Sequence, residues 1–70
     1  MEKLINFIEG RYNMAYFWYK GDYAGIDRLR AQAFGAVEFY GACNPDQFNE
    51  IEKMWNEWHS KFLALEMGVV

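Results

Sequence analysis

The interruptions in this chain constrain its fold more than any motif does. One proline and six glycines interrupt seventy residues, and the strong breaks fall at Gly21-Asp22 and at Gly41 through Pro45. Glycine and proline are the residues that stop regular backbone, so the stretches between them can run as continuous elements. The spacing predicts three helices, over about residues 2–20, 23–41 and 45–67. Asp22 fits an N-cap, because its short side chain can accept from an orphan backbone N–H. Gly21 fits the C′ residue of the first helix, where φ is positive. Asn44-Pro45-Asp46-Gln47 reads as a complete helix start: a capping amide, proline at the first position, an acid in the first turn, and Gln47 reaching back as in a capping box. Gly68 closes the third segment and leaves Val69 and Val70 as a tail.

Apolar periodicity agrees with these boundaries. Phe48, Ile51, Trp55, Trp58, Phe62 and Leu65 recur at alternating steps of three and four, the mark of one narrow helical stripe. Ile26, Leu29, Ala33, Ala36, Val37 and Tyr40 make a second stripe, with Tyr23 and Phe34 at its edge. The first segment carries two apolar sides. Ile5, Ile8, Tyr12, Ala15 and Tyr19 form one, and Phe7, Met14, Phe17 and Trp18 project elsewhere when each residue advances by 100°.

Short connections make successive helices antiparallel neighbours. The expected fold is therefore all-α, a three-helix up-down-up bundle filling residues 1–70 as a single domain, and a second copy can complete it. A chain this short buries only about 60% of its unfolded surface, which makes the core marginal. Against that, it carries fourteen aromatic residues, six Phe, five Tyr and three Trp. The second side of the first helix has no obvious cover in a three-helix monomer. Either that helix is central, or its second side meets another chain, and the latter is the reading adopted. Gly10 and Gly35 lie inside helical pattern at a cost near 1 kcal/mol each relative to alanine, so room for a neighbouring ring is expected beside them.

Many functional classes fall away. Cys43 is the only cysteine and His59 the only histidine, too few for a disulfide or a common zinc site. His59 has Trp55, Asn56, Phe62 and Leu63 one turn away, none of which suits a ligand set or a catalytic relay, so it reads as a histidine at the edge of the core. Cys43 reads as an inert thiol in the loop before the third helix. No catalytic residue, cofactor, metal or small-molecule substrate is expected. No apolar run approaches the roughly 20 residues of a membrane span. The opening residues meet acid and amide too early for a secretory signal, which points to the cytoplasm.

The stretch from Tyr12 through Trp18-Tyr19-Lys20-Gly21-Asp22-Tyr23 resembles the turn between the paired helices of a tetratricopeptide repeat. The likeness spans about 25 residues with one gap, places Ile26 where that family has alanine, and has no second copy at repeat spacing. It implies a helical hairpin and no more.

Net charge is −3, and all of the excess acid lies in the third segment. There Asp46, Glu50, Glu52, Glu57 and Glu66 face only Lys53 and Lys61, while the first 43 residues balance. Glu57 before Lys61 and Glu50 before Lys53 suit pairing along a helix surface. Arg28, Arg30 and Lys20 are interleaved with Asp22 and Asp27, a poor footprint for nucleic acid. The expected function is a small cytoplasmic protein–protein interaction module, a homodimer or the partner of another protein, using Phe7, Arg11, Met14 and Trp18. Buried Trp and Arg at interface centres carry much of the binding energy, which is why that side is selected. The alternative is a small acidic inhibitor or decoy that enters a basic groove of an enzyme or nucleic-acid-binding protein with the Glu50 and Glu57 edge.

Overall fold

Asp22 begins the second helix as its chemistry requires: its carboxylate accepts from the Gly25 N–H at 3.1 Å. The computed structural model describes residues 1–69, so the tail residue Val70 lies outside the described residues. Three helices account for most of the chain: α1 over Glu2–Trp18, α2 over Tyr23–Cys43 and α3 over Phe48–Glu66. Among the described residues there is no strand, and the fold is the expected all-α three-helix bundle.

Each junction departs from its expected form in detail. The first helix stops at Trp18, two residues early, and Tyr19 leaves helical geometry with φ −123°. Its ring turns onto the start of α2, where a Cβ at Gly25 would overlap it. Gly21 does take a positive φ, +87°, but inside the connecting turn and not as the residue after the helix cap. At the other end α2 runs through Gly41 to Cys43, so Cys43 is helical and exposed instead of lying in a loop. The expected capping box does not form. Asn44 instead donates to the Tyr40 carbonyl at 3.0 Å, and the Gln47 amide oxygen accepts from the Tyr40 hydroxyl at 3.2 Å. With both amides engaged on the last turn of α2, Pro45–Gln47 winds as a 3₁₀ turn and α3 starts at Phe48. Its far end is a Schellman cap: Gly68 sits at φ +74°, Val69 N–H bonds the Ala64 carbonyl, and Gly68 N–H bonds that of Leu65.

Helix α2 is the centre of the bundle. It packs along both α1 and α3, while those two barely approach each other through their backbones. Its buried line, Ile26, Leu29, Ala33 and Val37, meets Leu4, Ile8 and Ala15 of α1 and Ile51, Trp55, Phe62 and Leu65 of α3. Rings bridge the wider α1–α3 gap: Tyr12 stands edge-on to Phe62 at 5.4 Å and to Trp58 at 5.8 Å. Such pairs contribute about 0.5–1.5 kcal/mol beyond the area they bury. The result is a rod of 37 × 17 × 16 Å.

Arg30 is the one ion-pair centre among the described residues. It bonds Asp27 one turn back and lies 3.5 Å from Glu66 of α3. The hydrogen bond to Asp27 holds its guanidinium pKa above the ordinary value, against the opposing effect of burial. Neither Glu57–Lys61 nor Glu50–Lys53 closes as an ion pair, and Lys61 lies over the Trp58 ring at 4.2 Å instead.

Candidate interaction surface

Because α2 is central, α1 is a flank with one side against the bundle and one side free. The free side carries the residues singled out by the sequence. Trp18 is 79% exposed and Phe7 41%. Arg11 lies between them, its guanidinium 5.0 Å from the Phe7 ring centre and its Nη1 donating to Gln32 of α2 at 3.2 Å. Its Nε is buried without a hydrogen-bond partner. Met14 differs from the other three, since it packs partly against the core. The four residues therefore share one edge of α1, with Met14 as its root and Phe7 and Trp18 as its projecting rings.

The surface extends onto α2 through a residue that the periodicity did not select. Phe39 is 74% exposed and lines, with Phe7, Leu4, Ala36 and Tyr40, a depression of about 700 Å³ between α1 and α2. The sequence holds the signal, because Arg28, Gln32 and Phe39 follow one another at steps of four and seven on a single edge of α2. Phe7, Trp18 and Phe39 together leave on the order of 400 Å² of ring in solvent. Phe7 and Phe39 border the same depression, and Trp18 stands eleven residues further along α1 from Phe7, about 16 Å of helical rise.

Exposed rings also occur away from α1. Phe48 opens the apolar stripe of α3 yet is 60% exposed, because the stripe reaches the core only from Ile51 onward. With Phe34 it borders a second depression, of about 710 Å³, between α2 and α3. Of the fourteen rings only Trp55 and Phe62 belong to the buried core, and seven are exposed. The core of this bundle does not absorb the aromatic content.

The two reactive side chains lie apart. His59 is half-buried and stacks on Trp55 with centroids 5.6 Å apart, as expected of a histidine at the core's edge. Cys43 ends α2 at the end of the rod where α3 begins, and Phe48, the first residue of α3, is about 16 Å of helical rise from His59. Among the described residues no three His, Cys, Asp or Glu side chains gather in a way that would hold a metal ion. No helix among the described residues is long and apolar enough to cross a membrane.

Searches for relatives assign no function: no protein-family model, curated protein or solved structure matches this chain.

Proposed function

We propose that this protein is a small interaction module that works in the cytoplasm by binding protein, foremost a second copy of itself, through the free side of α1. The observation that carries the reading is Trp18, four-fifths exposed on the same edge as Phe7 and Arg11. Exposing a ring of this size to water is unfavourable, and contact with another surface relieves it. Tryptophan and arginine at the centre of an interface supply more binding energy than other residues of similar area. Sedimentation equilibrium at micromolar concentration tests the reading. The native chain is expected to exceed its 8.3 kDa monomer mass, and Trp18→Ala to weaken association at least tenfold while keeping its helical circular dichroism. A native chain that stays monomeric throughout that range removes the proposal.

A second reading uses the acid of α3, because Glu50 and Glu57 are exposed and neither closes an ion pair. In it the protein occupies a basic groove of a larger partner. Salt separates the two, since exposed charges are screened beyond about 10 Å at 0.1 M, whereas burial of Trp18 is not.

A further inference from the structure

The depression between α2 and α3 is both apolar and acidic. Val37, Ile51 and Trp55 form its buried floor, and Phe34 and Phe48 rise at its borders. Glu38 of α2 and Glu52 of α3 also line it, and no basic side chain does. Neither carboxylate belongs to an ion pair among the described residues, where both pairs centre on Arg30. The α2 side of this groove is low. Gly41 and Ala42 line it, and a Cβ added at Gly41 would meet nothing within 4 Å. Packing inside this chain gives that helical glycine no role, whereas close approach of another backbone would.

The free edge of α1 is the chemical complement of this groove. Lys3, Phe7, Arg11, Met14 and Trp18 recur at steps of four, four, three and four, so one helical line holds two projecting rings, the half-buried Met14 between them, and two cations. Neither cation has a carboxylate partner among the described residues. If this edge met its own copy about a two-fold axis, Arg11, near the middle of the line, would face Arg11, a like-charge contact that opposes association. Against the groove it would face carboxylate. The lengths also agree: Phe7 to Met14 covers about 10 Å of helix, and the lining span of α2 from Phe34 to Ala42 about 12 Å.

We propose that the α1 edge of one copy docks in the α2–α3 groove of a second copy, with the projecting Phe7 ring on the apolar floor, Arg11 between Glu38 and Glu52, and Trp18 against the groove's end. This rests on the reading of α1 as the self-association surface and names what that surface meets. It is an amphipathic helix laid in a hydrophobic groove, and each copy offers one edge and one groove, a heterologous contact.

Two variants at exposed positions test it. Ala42→Trp fills the groove and leaves the edge intact; Phe7→Ala with Trp18→Ala strips the edge and leaves the groove intact. Circular dichroism confirms that each is folded. Each variant alone is expected to sediment as a monomer at concentrations where the native chain associates, and an equimolar mixture to form a 1:1 pair through the surviving edge and the surviving groove. Glu38→Gln with Glu52→Gln is expected to weaken native association about tenfold at low salt and to flatten its salt dependence. If Ala42→Trp associates as the native chain does, the groove is not the receptor, and edge-to-edge self-association survives. If both variants are monomeric and their mixture is too, the docking is overturned. A monomeric native chain overturns both this and the proposed function.

Discussion

Glycine has opposite meanings at two kinds of position in this molecule. At Gly25 an added methyl would overlap the Tyr19 ring and crowd the Asp22 carboxylate, so the close packing of the α1–α2 turn on α2 depends on its absence. Gly25→Ala is expected to destabilise the fold by about 1–3 kcal/mol, the usual range for overpacking. Gly10 and Gly35 were read from the sequence as making room for a ring, and the structure corrects this: nothing lies within 4 Å of a Cβ built at either. Gly35→Ala is therefore expected to stabilise by about 0.5–1 kcal/mol, through helix propensity and a less flexible unfolded chain. Urea denaturation of the two variants side by side checks both signs. Tyr12 adds a pH dependence. Burial raises its phenol above the ordinary 10.0, and Tyr16 beside it adds a smaller push. A raised folded value means that the folded state holds the proton more tightly, so this stabilisation is whole below pH 10 and declines as pH rises through the folded value. Denaturation midpoints from pH 8 to 11.5 are expected to fall less steeply above pH 10 in Tyr12→Phe than in the native chain; equal slopes would place the titration elsewhere.

Helix ends show which local signals translate into structure. Asp22 was legible because an N-cap needs only its own carboxylate and a backbone N–H three residues on, and nothing nearby competes. Asn44 and Gln47 carried as strong a signal and were used otherwise, since Tyr40, four residues before Asn44, offers a carbonyl and a hydroxyl at the same junction. Local pattern cannot weigh a partner brought in by the preceding helix. The same limit applies between α2 and α3. Spacing within α3 pointed to Glu–Lys pairs on its surface, whereas the pair that forms joins Arg30 to Glu66 across the two helices, where the Glu66 side chain is only 7% exposed. Removing one partner of such a pair leaves the other charge desolvated. Arg30→Ala is expected to cost about 1–3 kcal/mol, and Arg30→Leu with Glu66→Leu much less, because replacing both charges by apolar groups restores a matched contact. A double-mutant cycle in urea checks this, and additive single effects would mean that the two charges are not coupled.

At the scale of the whole molecule, three helices and their order could be read from the breaks and stripes, but the centre of the bundle could not. Each segment has an apolar stripe that satisfies a three-helix packing, and only the assembled fold shows that α2 lies between the others. That arrangement leaves the Phe7, Arg11 and Trp18 edge uncovered by the chain itself. It also explains why Phe39 escaped a reading by stripe and why Phe48, which belongs to the stripe of α3, stays exposed: Phe39 belongs to an edge defined jointly with α1, and Phe48 stands nearly a full turn before Ile51, where the stripe meets the core. A domain of this size has a folding stability of only about 4–10 kcal/mol, so association has measurable leverage on it. A partner that binds the folded chain and not the unfolded one stabilises it by about 2.7 kcal/mol when present at one hundred times Kd. For a self-associating chain the partner is the protein, and the thermal midpoint must then climb with its own concentration. Raising total protein from 2 to 200 μM is expected to raise the native midpoint by several degrees, since about 1 kcal/mol shifts Tm by 4–8 °C in a domain this small. Phe7→Ala with Trp18→Ala is expected to abolish that climb while leaving the dilute-limit midpoint nearly unchanged, because neither ring belongs to the core cluster or packs against it. A midpoint that is independent of concentration in the native chain would show that the uncovered edge of α1 is tolerated by the monomer and has no partner in a second copy.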